Sequence, residues 1–225
     1  LGEGISAFEL MHRMGLDFLA ETLPDVKQPF EKPPEWMVLI DVGLAKDLDP
    51  VTALEGLFAE AYDAGLVSDG VIAPSEAQRA ELWAVRETIP EANRRIGSVS
   101  SHDISVPLSA ISAFIPKANA ALAKLGPFRI NCFGHLGDGN LHYNLLPPID
   151  GDAPDLWRAK NAALVSEIIH SHAVDLSGSF SAEHGVGKLK RAELSRYKDP
   201  VSLACMRQIK QALDPKGIMN PGKVL

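Results

Sequence analysis

The chain has 225 residues, a formal net charge of -7 at pH 7, and 46% hydrophobic and 23% charged residues. This composition is typical of a globular protein that buries a substantial core. The acidic balance argues against a protein that binds the phosphate backbone of nucleic acids, and it favours small-molecule substrates.

Compartment and targeting signals are weak in this sequence. No apolar run approaches the roughly 20 residues that a transmembrane helix needs, and the pattern of a signal peptide is missing. The two cysteines, Cys132 and Cys205, match no disulfide framework, so we expect both to be buried thiols of a protein in a reducing, cytoplasmic compartment. Because the chain opens on Leu1 without a methionine, we expect it to be a piece of a longer protein.

Helical and extended patterns alternate in the first half of the chain. The sequence from Ser6 to Glu9 has the form of a capping box, with apolar residues at helical spacing behind it. Asp49 followed by Pro50 and, later, Ser75 are typical of helix starts, whereas Pro90 is expected to end a helix. Helices are therefore predicted over 6–22, 50–65 and 76–89, and strands over 36–42 and 66–73.

The second half continues in the same way and defines the expected fold. Strands are predicted over 102–107 and in a hairpin within 128–146, helices over 108–125, 155–173, 188–197 and 200–213, and an irregular tail over 214–223. These patterns predict an α+β fold in which an antiparallel sheet has helices packed on one face and a helical segment follows at the C-terminus.

The hairpin carries the first candidate functional residues. Two apolar runs flank a turn, Leu136 to Asn140, that is rich in Gly, Asp and Asn. His135 ends one strand and His142 lies near the start of the other. The turn is therefore predicted to bring the two imidazoles within reach of one ion.

A further pair, Glu183 and His184, lies in a segment that is predicted to form a short strand. It would deliver a carboxylate and a third imidazole to the same place. Neutral imidazoles and a carboxylate suit Zn²⁺ or a similar divalent ion, and three protein ligands leave a position open for substrate. A plain polar cluster at the mouth of the sheet explains the spacing of His135 and His142 as well, so spacing alone leaves both interpretations open.

Three segments around these residues resemble the C-terminal domain of FAD-linked oxidases that act on D-2-hydroxy acids, such as D-2-hydroxyglutarate and D-lactate dehydrogenases. The segments are Gly134–Asn144, Ser181–Lys188 and Asp214–Lys223. Weaker matches at Ala7–Glu9, Trp83–Glu87 and Asp103–Pro107 extend the resemblance over nearly the entire chain. The resemblance implies a ferredoxin-like cap domain.

The resemblance also implies a role for each candidate residue. His135, His142 and Glu183 would be metal ligands, with zinc as the expected ion, and His184 would be the catalytic base. Arg86 would hold the substrate carboxylate and Asn144 would add a polar contact. Asn220 in the tail would lie near the flavin.

The same resemblance implies that FAD is bound mainly by a separate domain, and the chain shows no phosphate-cradling loop of its own. Residues 1–187 would form the substrate- and metal-binding cap, and residues 188–225 would pack on the FAD-binding domain. The other expected partners are a small 2-hydroxy acid and an electron acceptor of unknown kind. A homodimer is one open alternative for the oligomeric state.

Two positions depart from the pattern of D-2-hydroxyglutarate dehydrogenases. Ser101 stands where those enzymes tend to have a lysine, and Pro90 where they tend to have a threonine. The far end of the substrate is therefore left open between a second carboxylate and a monocarboxylate such as lactate. Two other functions also stay open, a metallohydrolase that uses the same His, His and Glu ligands and a non-catalytic metal-binding module.

Overall fold

The computed structural model describes residues 4–148 and 154–225, which form strands and helices in the following order. The strands are β1 (Ile5–His12), β2 (Trp36–Val42), β3 (Ser100–Ser105), β4 (Arg129–His135) and β5 (Asn140–Leu146). The helices are α1 (Arg13–Thr22), α2 (Pro50–Asp63), α3 (Glu76–Ile96), α4 (Ile111–Leu122), α5 (Pro154–Asp175), α6 (Arg191–Tyr197) and α7 (Pro200–Leu213).

The strands form one antiparallel sheet in the order β2-β1-β4-β5-β3. The predicted α+β fold and the hairpin of β4 and β5 are confirmed. Gly139 in the hairpin turn has a φ of 77°, and a Cβ atom built on it would lie 2.0 Å from the carbonyl oxygen of Val106. Only glycine fits at this position, because any side chain would collide with the backbone just beyond β3.

Helices cover both faces of the sheet, so the prediction of helices on one face is wrong. Leu10 and Cys132 belong to a core that includes side chains of α4 and α5. Their neighbours Met11 and Phe133 belong to a second core with α1 and α3. Because successive residues of a strand point to opposite faces, consecutive apolar residues require a cover on each side.

The helix predicted over 6–22 is wrong in its first half, where β1 pairs with β2 on one side and β4 on the other. The helix begins only at Arg13, and the His12 side chain caps it by accepting a hydrogen bond from the amide of Met14 at 3.1 Å. The pattern from Ser6 to Glu9 is therefore not a capping box. Two ladders of strand hydrogen bonds outweigh a local helix signal.

A predicted strand and a predicted helix end also differ from the structure. Residues 66–73 form no strand but an irregular segment, in which the side chain of Asp69 accepts a hydrogen bond from the amide of Gly70. Helix α3 continues through Pro90 to Ile96, because Ile89 and Ala92 pack in the core on either side of the proline. Burial of that helix face offsets the hydrogen bond that proline cannot make.

The cysteines differ from each other. Cys132 is buried, and burial raises the pKa of its thiol to about 12. Cys205 is exposed, so the prediction that both thiols are buried is wrong for the second. Among the described residues, no helix is long and apolar enough to cross a membrane.

The C-terminal helices add a small core of their own, built from Phe180, Leu194 and Leu203. The tail beyond α7 folds around the buried carboxylate of Asp214, which accepts hydrogen bonds from the amides of Ile218 and Met219. As predicted, this tail has neither helix nor strand.

Candidate metal and substrate site

His135 and His142 lie on the sheet face that α1 and α3 cover. Phe133 pairs with His142 across the hairpin and lies two residues before His135, so all three side chains point the same way. The centroids of the two imidazole rings are 5.8 Å apart. The sharp hairpin thus places the two imidazoles side by side.

Glu183 reaches both histidines from a loop beyond α5. Its Oε1 atom lies 3.4 Å from Nε2 of His135, and its Oε2 atom lies 3.7 Å from Nε2 of His142. Two ligands bound tetrahedrally at about 2.1 Å from one zinc ion are about 3.4 Å apart. Glu183 therefore lies near the ligand spacing from each histidine separately, but His135 does not belong to the group of possible ligands whose atoms all lie within 4.8 Å of one another.

The loop that carries Glu183 is not the short strand predicted there. An isolated bridge joins Ser179 to Ser105, and beyond it the backbone amides of Glu183 and His184 both donate to Oδ2 of Asp103, at 2.9 and 2.8 Å. Asp103 is buried in β3. The loop is therefore held by hydrogen bonds to a carboxylate side chain and not by pairing as a strand.

Asp103 and His184 complete a group of possible ligands with His142 and Glu183, since one ligand atom from each lies within 4.8 Å of the others. The oxygens of Asp103 are already engaged, because Oδ1 also accepts a hydrogen bond from the Asn140 side chain at 2.7 Å. Asp103 is therefore better suited to anchor the loop than to bind an ion.

His184 is exposed, with 69% of its side chain accessible. Its ring stacks on that of His142 at a centroid distance of 5.9 Å, and its Nδ1 atom lies 3.7 Å from Oδ2 of Asp103. The carboxylate favours a proton on Nδ1. The Nε2 atom is then left to accept a proton.

Burial and neighbouring groups shift the pKa values of two residues at this site. Burial lowers the pKa of His142, and Arg86 lowers it further, although Glu183 opposes both effects. The pKa of Asp103 is lowered even though burial acts to raise it, because the amides of His184 and Glu183 and the Asn140 side chain stabilise the carboxylate. His142 is thus neutral and Asp103 is ionised near pH 7.

Arg86 lies on α3 beside the histidines, with its guanidinium 4.8 Å from the ring centre of Phe133. Its Nε and Nη2 atoms both contact Oε2 of Glu9 at 2.9 Å, and both side chains are almost fully buried. Asn144 lies two residues after His142 on the same sheet face, and its amide donates inward to the carbonyl of Asn131 at 3.4 Å.

Asn220 lies in the tail beyond α7, where its side chain accepts a hydrogen bond from Lys223 at 3.4 Å. None of the contacts among the described residues joins it to the histidines. Sequence reasoning did not place Glu9 or Asp103 in the site. Their signal was a charged residue within a buried strand, which costs free energy unless the charge is paired.

The comparisons with known proteins show the family of the chain. The model of the family described as FAD linked oxidases, C-terminal domain, matches residues 2–224. The chain therefore belongs to this family of flavin-linked oxidoreductase domains.

Several relatives of the chain are named D-2-hydroxyglutarate dehydrogenases. The mitochondrial D-2-hydroxyglutarate dehydrogenase of Arabidopsis thaliana is 35% identical over 100% of this chain and 39% of that protein. The D-2-hydroxyglutarate dehydrogenase of Xanthomonas citri pv. viticola is 36% identical over 87% of this chain and 41% of that protein. The D-2-hydroxyglutarate–pyruvate transhydrogenase of Saccharomyces cerevisiae is 29% identical over the whole chain. The relatives in plants are named mitochondrial. These names do not test the location of this chain, so the cytoplasmic location stays a prediction.

The chain spans about two fifths of the length of these two dehydrogenases. A solved structure, the 4-ethylphenol oxidase of Gulosibacter chungangensis in complex with isoeugenol, superposes with a TM-score of 0.55 and 17% identity. The match covers 97% of this chain and 47% of the oxidase. At that identity the likeness concerns the fold alone.

Proposed function

We propose that this chain is the substrate- and metal-binding part of a flavin-dependent dehydrogenase that oxidises a D-2-hydroxy acid to the 2-oxo acid. The observation that carries the proposal is the meeting of Glu183 with His135 and His142 at 3.4 and 3.7 Å, in a chain of the FAD-linked oxidase family. The metallohydrolase and the non-catalytic module share the ligand set, but no other observation favours them.

His135, His142 and Glu183 are proposed to bind a divalent ion, and zinc is the ion we propose. A bound ion would supply Lewis acidity toward the 2-hydroxyl group, and FAD would accept the hydride. The contribution of the chain is to fix the ligands on rigid elements, since His135 and His142 lie in paired strands.

Arg86 is proposed to bind the substrate carboxylate. Its Nε and Nη2 atoms are held by Glu9, which fixes the plane of the guanidinium and leaves Nη1 to donate toward the substrate. The guanidinium lies 4.8 Å from the ring centre of Phe133, which pairs with His142 across the hairpin. The carboxylate and hydroxyl of one small acid could then contact both the guanidinium and the proposed metal site.

His184 is proposed as the base. The proton of the 2-hydroxyl group would pass to Nε2 of His184, while Asp103 lies 3.7 Å from Nδ1 on the other side of the ring. A carboxylate in that position stabilises the imidazolium that forms. The exposure of His184 gives an incoming substrate access to this nitrogen.

The far end of the substrate is proposed to be uncharged. Ser101 lies opposite Asn144 in the strand register, and its hydroxyl contacts that of Ser98 at 2.8 Å. This edge offers hydroxyl groups, and Pro90, one turn after Arg86 on α3, offers no donor. A monocarboxylate such as D-lactate fits such a surface better than a dicarboxylate, although the relatives are named for D-2-hydroxyglutarate.

The C-terminal segment is proposed to pack on the FAD-binding domain. Large apolar side chains are exposed along α7 and the tail, and an apolar hollow lies between them. The relatives are more than twice as long as this chain, so a further domain of the same protein is the natural cover. The exposed side chains are Val201, Ile209, Leu213, Ile218 and Met219.

The test is a substrate panel for the flavin-loaded enzyme in which this chain is joined to its FAD-binding domain. D-lactate, D-2-hydroxybutyrate and D-2-hydroxyglutarate would be compared by kcat/KM, with the L-isomers as controls. The proposal expects turnover of D-acids alone and a preference for the monocarboxylates. Equal turnover of L-isomers would contradict the proposed reaction, and a strong preference for D-2-hydroxyglutarate would contradict only the uncharged far end.

A further inference from the structure

Glu9 is a buried carboxylate at the centre of the candidate site, where no role was expected for it. It lies on β1 directly opposite His135 of β4, and 6% of its side chain is exposed. A charge at such a position costs free energy unless hydrogen bonds satisfy it. Each oxygen of Glu9 has a partner of its own.

The first partner is His135. Oε1 of Glu9 lies 2.7 Å from Nδ1 of the imidazole, and Nε2 on the other side of the ring faces Glu183 at 3.4 Å. An imidazole that donates from Nδ1 presents the lone pair of Nε2, because its two nitrogens have opposite roles in the neutral ring. Glu9 thus selects the ring form that binds a metal through Nε2.

The second partner is Arg86, which directs two N–H groups to Oε2 of Glu9 at 2.9 Å. This contact balances the buried charge and prevents the carboxylate from turning. Residues of this kind are known to raise the basicity of a metal-bound histidine and to fix its orientation.

We propose that Glu9, held in place by Arg86, is a positioning residue that fixes His135 for metal binding and links the proposed metal site to the proposed substrate arginine. The inference rests on the proposed metal site. A purely structural ion pair would stabilise the fold, but its loss would change neither the ring form of His135 nor the affinity for a metal.

The test measures Zn²⁺ affinity of the 225-residue chain by competition with a chromogenic chelator. Glu9→Gln removes the charge and keeps the shape, and we expect binding to weaken about 10-fold or more. Glu21→Gln is the matched control. Glu21 lies on α1, which follows β1, and its half-exposed carboxylate pairs with Arg129. Circular dichroism would check the fold of each variant.

A second variant keeps the test informative if Glu9→Gln unfolds the chain. Glu9→Met combined with Arg86→Met removes both charges and leaves no lone charge in the core. We expect Zn²⁺ binding about 100-fold weaker than in the parent, and ¹⁵N spectra of the zinc-free chain should show that His135 has lost its preference for a proton on Nδ1.

The outcomes separate this inference from the proposed function. Zinc binding that His135→Ala abolishes but both Glu9 variants leave within about twofold of the control would overturn the role of Glu9 alone. A parent chain that binds no zinc, or binds it without His135, would overturn the proposed metal site and the role of Glu9 with it.

Discussion

The charge of Asp103 should decide whether the loop with Glu183 and His184 holds its position. In the structure Oδ2 of Asp103 accepts two backbone hydrogen bonds from the loop, and Oδ1 accepts one from Asn140. Asp103→Asn keeps the volume but turns one acceptor into a donor. In either orientation of the asparagine amide, its NH₂ group faces at least one N–H donor, so that hydrogen bond cannot form.

Hydrogen bonds to a charged group contribute about 1.5 to 3 kcal/mol each. Losing one and weakening the others should lower the free energy of unfolding by about 3 kcal/mol, and Zn²⁺ affinity should fall because Glu183 is no longer held. Urea denaturation measures the first effect and chelator competition the second.

Asp49→Asn is the control, since Asp49 is an exposed helix cap and asparagine caps helices about as well as aspartate. If Asp103→Asn unfolds within about 0.5 kcal/mol of this control, or binds Zn²⁺ like the parent, the loop does not depend on Asp103. The account of the loop would then be refuted.

Three other predictions concern the chemistry and the pH dependence. In the flavin-loaded enzyme, His184→Ala should lower kcat by about 10² to 10⁴ while bound metal, measured by mass spectrometry, is retained; loss of the metal would make His184 a ligand instead. Arg86→Lys should raise KM more than it lowers kcat in steady-state kinetics, because the carboxylate is bound in ground and transition states alike; an unchanged KM would contradict this role. Burial lowers the pKa of His102 to about 3 and that of His170 to about 4. Below about pH 6.5 the unfolded chain therefore binds more protons than the folded chain, and the free energy of unfolding should fall by about 1.4 kcal/mol per pH unit for each histidine down to about pH 4. Urea denaturation from pH 7 to 4.5 measures that slope, and a flat profile would refute the burial of neutral rings.

Local signals in the sequence predicted those parts of the fold that neighbouring residues determine. The turn of glycine, aspartate and asparagine between β4 and β5 gave the hairpin, and Asp49 and Ser75 gave the starts of α2 and α3, since each cap bonds an amide a few residues away. The hairpin in turn brought His135 beside His142.

Contacts between distant residues could not be predicted in this way. Glu9 stands at the position that a capping box requires. Only the pairing of β1 with β2 and β4 shows that Glu9 lies opposite His135, which is distant in the sequence. The partners of Asp103 are backbone amides of Glu183 and His184, which no side-chain pattern reveals. The apolar residues of β1 and β4 belong to two cores. Consecutive apolar residues in a strand indicate that both faces are covered, but they do not indicate which helix covers which face.

The measurement that tests the central claim most directly is the absorbance of the flavin at about 450 nm in the flavin-loaded enzyme, followed without oxygen after a single mixing with a D-2-hydroxy acid. The enzyme would be compared before and after its metal is removed by a chelator, and again after Zn²⁺ is restored. The account predicts rapid bleaching with the D-isomer, little with the L-isomer, loss of bleaching without metal and recovery with Zn²⁺. Bleaching at the same rate in the metal-free enzyme, or in a variant that lacks both His135 and His142, would contradict it.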